Sequence, residues 1–173
     1  MAGSLVLIQE TTLSPPTASV VLTGIDSSYN VYMVKISNVQ PVTDNKNLQL
    51  RVTKSGTAQS DSEYDTAGKN LQMSGTYGNS GGTNATSVTF AFSLGNQTNE
   101  TANAILYLFN FPESEYSFIT AESIFLNLTP SLVGFQGGFT HTVASASDGV
   151  SFEMESSVNI NTGASFKLYG LKK

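Results

Sequence analysis

The chain has 173 residues and a formal net charge of −5, and only 12% of its residues are charged. This length suits a single domain that buries its own core, and the absence of cysteine excludes disulfides, thiolate metal sites and cysteine nucleophiles. Lysines and arginines are few and scattered, which argues against the basic face of a nucleic-acid-binding protein.

The composition favours strands over helices. Hydrophobic residues make up 39% of the chain, and serine, threonine, asparagine and glycine supply most of its polarity. This mixture is typical of sheets with Ser and Thr on solvent-facing positions and Asn and Gly in turns. Near the start, the apolar run 5–8 is too short for a signal peptide or a membrane span. We therefore expect a protein made in a cytoplasm, without its own export signal and without membrane attachment.

The first third of the chain consists of short strand-like runs separated by turn signals. Apolar patterning predicts strands at residues 5–12, 18–23, 30–39 and 48–53. Pro15 and Pro16 indicate a sheet edge or corner, because proline cannot donate to a ladder. Residues 30–39 are apolar on both faces, so this strand is expected at the centre of a sheet.

Residues 55–87 are different, because they are rich in Ser, Thr, Gly, Asn and Asp and hold one weak apolar patch at 71–73. The segment predicts a long polar loop with short strand fragments, of the kind that tends to be functional or mobile. Tyr64 and Tyr77 are its only aromatic residues, and tyrosines among small polar residues are typical of surfaces that bind protein or sugar. The alternative is that they pack over their own strands.

The remaining half of the chain predicts further strands. Apolar runs occur at 88–94, 104–111, 116–121, 124–128 and 164–171. Residues 104–111 are apolar on both faces and are the main core candidate. Residues 139–144 and 150–155 predict a hairpin, because the Asp148-Gly149 pair between them is a strong turn signal.

About ten short strands without a helical period predict an all-β fold, an antiparallel, jelly-roll-like β-sandwich. We expect one domain over residues 1–173, with an N-terminal arm at 1–12 and a long polar loop region at 55–87.

A catalytic interpretation has few residues to draw on. His141 is the only histidine, and a Ser-His-Asp arrangement would recruit Asp148. No Gly-x-Ser-x-Gly nucleophile elbow accompanies it, so a packed or interface histidine is the expectation. We expect no enzymatic activity and no cofactor.

Two sets of carboxylates have spacings that occur in functional sites. Glu153 and Glu155 share one strand face about 7 Å apart, a separation that inverting glycosidases use. Phe152 and Met154 are expected to point into the core from the other face of this strand, so the two glutamates are expected to face outward. Asp61, Glu63 and Asp65 alternate in the polar loop, where they either hold a structural Ca²⁺ or form part of a mobile, solvated loop.

Three stretches resemble small virion structural proteins of marine tailed phages, including those that infect cyanobacteria. They are residues 1–11 (MAGSLVLIQET), residues 22–26 with 32–35 (LTGID and YMVK), and residues 163–172 (GASFKLYGLK). These are strand-and-turn patterns that bracket both ends of the chain, and none of them carries a catalytic residue.

The resemblance implies a β-sandwich on the outside of a virion. It favours a capsid decoration or cement protein that binds the major capsid protein or other virion proteins, as a homo-oligomer and most simply a homotrimer. The alternative is a tail-fibre or head-fibre component that binds host surface glycans through loops such as 55–87. Strand addition by the N-terminal segment would place Leu5, Val6, Leu7 and Ile8 on a neighbour. With Tyr64 and Tyr77, these are the candidate protein-interaction residues.

Overall fold

A computed structural model describes residues 4–171 of the chain. They form thirteen strands and one turn of 3-10 helix at Glu155–Ser157. The strands are β1 (Leu5–Thr12), β2 (Ser19–Thr23), β3 (Val31–Val39), β4 (Lys46–Lys54), β5 (Thr57–Ala58), β6 (Tyr64–Gln72), β7 (Tyr77–Ala85), β8 (Val88–Leu94), β9 (Ala102–Phe109), β10 (Ser117–Leu126), β11 (Leu132–His141), β12 (Gly149–Met154) and β13 (Ser165–Leu171).

The strands form two antiparallel sheets of unequal size. The larger sheet has eight strands in the order β1-β13-β3-β9-β10-β11-β6-β7. The smaller sheet has the order β2-β12-β4-β5, and β8 also pairs with β4. The prediction of an all-β antiparallel sandwich is therefore confirmed. No helix within residues 4–171 has the length and hydropathy needed to cross a membrane.

The core lies between the sheets and is built from the alternate residues that point inward. Aromatic rings cross the layer in edge-to-face or tilted contacts, with ring centroids 5.3 Å apart for Phe152 and Phe166 and 5.0 Å apart for Phe92 and Phe125. Such geometry is favoured by the quadrupole of the aromatic ring. The two rings of each pair come from different sheets, so these contacts fix how the layers stack.

The predicted polar loop 55–87 is mostly regular structure, which corrects the expectation of a long loop with short fragments. Strands β6 and β7 are nine residues each and form a hairpin, and β6 also pairs with β11 over nine residue pairs. Glycine, serine and asparagine have low strand propensity. The long ladder with β11 supplies the stability that the local sequence lacks.

The hairpin predicted across Asp148-Gly149 is wrong. Strand β11 belongs to the larger sheet and β12 to the smaller one, so the connecting residues carry the chain from one layer to the other. The Asp148 carboxylate accepts hydrogen bonds from Thr53 Oγ1 at 2.7 Å and from the Gly56 amide at 2.8 Å. It therefore anchors the β4–β5 turn instead of closing a hairpin.

The described part of the predicted N-terminal arm is a strand of the domain itself. Strand β1 pairs with β13 through seven residue pairs, interrupted by a bulge at Ile8, and it forms one edge of the larger sheet. Residues 1–3 of the predicted arm lie outside the described residues. Because the side chain of Ile8 packs against the core, truncation to residue 10 would remove part of the fold along with any contact to a neighbour.

Candidate interaction face

The face of the larger sheet that points away from the core, called the outer face below, carries exposed apolar residues. Burial alternates strictly along β10: Ile119 and Phe125 are buried, whereas Phe118 and Ile124 are 45% and 51% exposed. This period of two is what a strand with one face on a core and one face on solvent requires. On the neighbouring β9, Ile105 and Tyr107 are exposed in the same way.

Strand register arranges the outer face into rows that run across the sheet. One row, called the apolar row, begins with large side chains on four adjacent strands and continues with small ones on the next three. In order from β1 to β6 these are Leu7, Tyr169, Met33, Tyr107, Thr120, Gly138 and Ala67. The row is therefore bulky on one half of the sheet and flat on the other.

The next row, called the charged row, contains most of the charges of this face. From β1 to β6 it consists of Glu10, Lys167, Lys35, Ile105, Glu122, Gln136 and Lys69. Lys167 lies 2.7 Å from Glu10, a hydrogen bond that raises the pKa of the lysine. Gln136 donates to Glu122 at 2.9 Å.

Lys35 and Glu122 flank Ile105 in this row, one strand to either side. No carboxylate within residues 4–171 forms an ion pair with Lys35. The centre of the outer face is therefore an isoleucine between two opposite charges.

Three hollows lie on the outer face, and the one at its centre has a volume of about 340 Å³ and lies between Ile105, Tyr107 and Gln136. The other two lie where the sheet carries small residues. A hollow of about 610 Å³ is bounded by Lys35, Ile105, Glu122 and Ile124, with Gly134 among its lining residues. Another of about 360 Å³ lies over Gly138, beside Ala67, Phe118 and Thr120.

Glycine at positions 134 and 138 is not demanded by packing inside the domain. A Cβ at Gly134 would meet Leu71 at 3.6 Å, and one at Gly138 would meet the Ile119 carbonyl at 3.5 Å, which are ordinary contact distances. By contrast, a Cβ at Gly137, on the inner side, would come within 2.5 Å of the Phe135 ring. The outer-face glycines keep the hollows open, whereas the inner one makes room for the core.

The four candidate residues of β1 divide between the two sides of the strand. Leu5 and Leu7 are half exposed on the outer face, across from Leu171 and Tyr169. Val6 and Ile8 are partly buried, and the neighbouring Gln9 hydrogen-bonds the main chain of β2 in the other sheet. Leu5 and Leu7 are thus available to a partner.

The two candidate tyrosines have opposite environments. Tyr77, at the start of β7, is 74% exposed and lies across from Leu71 at the tip of the β6–β7 hairpin. Tyr64 is only 1% exposed, so the expectation that it forms a surface for partners is wrong. Its hydroxyl donates to the Gln59 carbonyl at 2.8 Å and accepts from the Val52 amide at 3.0 Å. Burial raises the pKa of Tyr64 to about 12.

His141 is a packed residue rather than a solvent-facing base. It is 1% exposed, stacks beside Tyr64, and places Nε2 3.2 Å from Glu63 Oε2. Burial lowers the pKa of His141, and the Glu63 carboxylate opposes that shift only in part. The neutral imidazole is therefore the form that the fold favours.

A serine also neighbours this histidine, although the sequence had not singled it out. Ser117 lies directly across from His141 on β10, but its hydroxyl is fully buried and makes no hydrogen bond to a side chain or carbonyl of residues 4–171. A nucleophile needs hydrogen-bond contact with its base and access to substrate. The Ser117 hydroxyl has neither a hydrogen bond to His141 nor access to a substrate in this structure.

The remaining carboxylates occupy separate places. Glu153 forms an ion pair with Arg51 on the neighbouring strand, and Glu155 begins the 3-10 turn. Asp65 accepts a hydrogen bond from the Asn84 amide at 3.0 Å, whereas Glu63 turns to His141. Within residues 4–171, no three His, Asp or Glu side chains converge as metal ligands would.

The sequence interpretation missed the outer face because it assigned residues 104–111 to the core. Ala104, Leu106 and Leu108 are indeed buried, but Ile105 and Tyr107 alternate with them and are exposed. The sequence signal that could have revealed the outer face lies in the neighbouring strand β10. There Phe118, Thr120, Glu122 and Ile124 alternate with small or apolar residues, which indicates one buried and one exposed face.

Together these features define an all-β sandwich whose larger sheet has an outer face with one apolar row and one charged row, and a strand edge on either side. No protein-family model matches the chain, and no curated protein is significantly similar to it.

Proposed function

We propose that this chain is a non-enzymatic structural protein of a virus particle, and specifically a decoration or cement protein on the outer surface of a phage head. The support from sequence is the resemblance of three stretches to virion proteins of marine tailed phages, including cyanophages. The support from structure is the position of the surfaces that are free to bind.

The observation that carries the proposal is that the larger sheet ends in strand edges on both sides, each with exposed apolar residues. Strand β1, with Leu5 and Leu7, forms one edge, and β7 forms the other. At the β7 side the hairpin tip presents Met73 and Tyr77, which are 69% and 74% exposed. A strand edge presents main-chain donors and acceptors that a partner strand can complete.

Two docking elements at opposite sides of one rigid sheet suit a protein that bridges neighbouring subunits. A cement protein stabilises a shell by binding across the seams between capsid subunits, so that separation of the subunits also breaks its own contacts. Several weak contacts in one oligomer then add to a large avidity. The major capsid protein is the expected partner, and the assembled virion is the expected location.

The test is the copy number of the protein in purified particles relative to the major capsid subunit, measured by quantitative mass spectrometry. A ratio near one-to-one supports a decoration protein that covers the shell. Absence of the protein from particles would overturn the virion assignment.

Variants of the hairpin tip test the surface itself. Met73→Ser with Tyr77→Ser should leave the fold unchanged and reduce binding to undecorated particles in a co-sedimentation assay. Tyr116→Ser is the matched control, because Tyr116 is exposed but precedes β10 at the other end of the sheet. Equal binding by both variants would exclude the hairpin tip as the docking element.

A fibre component that binds host glycans is the second candidate, and the exposure of Tyr77 next to Asn79 favours it. Exposed tyrosines with neighbouring amides suit sugar recognition, because the ring stacks on the sugar face and the amide bonds its hydroxyls. This function predicts only a few copies per particle, and loss of adsorption to host cells when Tyr77 is changed to Ser.

A further inference from the structure

The charged row of the outer face is arranged so that it complements itself. Lys35 and Glu122 lie at equal distances on either side of Ile105, on β3 and β10. A twofold axis along β9 exchanges these two strands, so Lys35 of one copy would face Glu122 of a second copy. The same axis brings Glu10, three strands away on one side, opposite Lys69, three strands away on the other. At the remaining position of the row, Lys167 faces the neutral Gln136, so the axis places no like charges opposite each other in this row.

The same axis also matches large side chains with small ones. In the apolar row, the bulky residues lie on the β1 side of β9 and the small residues on the β10 side. The facing pairs would be Met33 with Thr120, Tyr169 with Gly138, and Leu7 with Ala67. The hollow over Gly138 has a volume of about 360 Å³ and would receive the Tyr169 ring.

From these two independent matches we infer that the outer face is the interface of a homodimer, in which two copies pack sheet against sheet around a twofold axis along β9. Tyr107 and Ile105 lie on the axis and meet their own copies. Sheets packed in this way keep their strand directions within about 30° of each other and lie about 10 Å apart. An angle between the two sheets shifts facing residues more the farther they lie from the axis. The Lys35–Glu122 contacts lie one strand from the axis, so they are shifted least among the charged pairs.

The area of the face is sufficient for a stable dimer. Seven strands, β1 to β6 in sheet order, overlap between the two copies. At a strand spacing of about 4.8 Å and a rise of about 3.4 Å per residue, seven-residue segments offer a surface of about 800 Å² on each copy. Stable protein interfaces bury about this much from each partner.

This inference goes beyond the proposed virion function and does not depend on it. The eighth strand, β7, remains outside the overlap, next to β1 of the second copy. A dimer would therefore bring the free edge of β1 and the β6–β7 hairpin tip together at each of its two ends. The oligomeric state of the purified chain in solution tests the dimer, whereas the copy number in particles tests the virion role. Each of the two proposals can therefore be overturned without the other.

The experiment is sedimentation equilibrium of the full chain and of two charge reversals, Lys35→Glu and Glu122→Lys. The wild type should sediment at twice the chain mass of 18.3 kDa. Each single reversal places like charges across the axis and should raise the dimer dissociation constant by about a hundredfold or more. Circular dichroism checks that each variant is folded, and Lys46→Glu on β4 of the smaller sheet is the matched control.

An equimolar mixture of the two single variants gives the decisive result. In the mixed dimer the glutamate introduced at position 35 of one copy faces the lysine introduced at position 122 of the other. The unchanged Glu122 of the first copy faces the unchanged Lys35 of the second, so dimers should form again. A role of either residue within its own subunit would not be rescued by mixing. A monomeric or trimeric wild type, or reversals that leave the dimer intact, would overturn the inference.

Discussion

Tyr64 and His141 lie side by side on β6 and β11, with ring centroids 5.0 Å apart and ring planes tilted by 43°. The tyrosine hydroxyl links the main chain of β4 to the β5–β6 connection through Val52 and Gln59. The Nε2 atom of the histidine forms a hydrogen bond with the Glu63 carboxylate. This buried pair connects the β6–β7 hairpin, whose own sequence is polar, to the smaller sheet.

Tyr64→Phe removes a buried hydroxyl but keeps the ring. The Val52 amide then loses its partner, and an unsatisfied buried donor costs about 1–3 kcal/mol. We expect the free energy of unfolding to fall by this amount in urea denaturation. Tyr77→Phe, which removes an exposed hydroxyl, should leave the urea midpoint unchanged, and equal midpoints for both variants would contradict the assigned hydrogen bonds.

His141 should make the stability of the protein dependent on pH just below neutrality. Its pKa is lowered in the folded state, primarily by burial, from the usual value of about 6.5 that the unfolded chain retains. The unfolded state therefore binds the proton first as the pH falls. Stability is fully present above about pH 6.5 and decreases toward the lower folded pKa, by up to about 1.4 kcal/mol per pH unit.

The measurement is the free energy of unfolding between about pH 7 and pH 5.5, a window in which carboxylates titrate little. Since His141 is the only histidine, His141→Gln should flatten the profile. A slope that persists in this variant would show that another group is responsible.

Gly137 and Gly138 are neighbours in sequence but face opposite sides of β11. Gly137→Ala should destabilise the fold by about 1–3 kcal/mol, because the new methyl group would meet the Phe135 ring at 2.5 Å and the Ala67 carbonyl at 2.7 Å. Gly138→Ala is the matched control and should be nearly neutral, since its nearest contact within the subunit is 3.5 Å; both glycine variants are made in the Lys35→Glu background, so that the proposed dimer does not contribute to the comparison. Thermal and urea unfolding of the two variants compare them directly. The reverse order would mean that the inner and outer faces of β11 are misassigned.

Asp148→Ala should destabilise the protein by about 1–3 kcal/mol, because the carboxylate accepts hydrogen bonds from Thr53 and from the Gly56 amide. Asp44→Ala, in the exposed loop between β3 and β4, is the control and should lie within about 0.5 kcal/mol of the wild type. If both variants unfold at the same urea concentration, Asp148 does not anchor the β4–β5 turn.

Local patterning was sufficient for the strands whose side chains alternate or are uniformly apolar. Residues 88–94 and 48–53 were recognised from their period of two, and the central position of 30–39 from its apolar character. These signals are local because a strand with one buried face must alternate. The full length of strands β6 and β7 was not predicted, because their glycines and polar residues lack an alternating apolar pattern and the pairing of β6 with β11 is long-range.

The amino-acid sequence by itself therefore determined the fold class, most strand positions and the absence of cysteine chemistry. Only the tertiary structure decided which faces are covered, because a strand pattern does not state which layer lies against it. Ile105 and Tyr107 are exposed although the apolar pattern of their strand predicts a core strand. Tyr64 is buried although the polar composition of its segment predicts a loop. The alignment of Lys35, Ile105 and Glu122 in one row arises because β3, which is far away in sequence, pairs in this register with the consecutive strands β9 and β10. Long-range pairing sets that register, and no local segment of the chain encodes it.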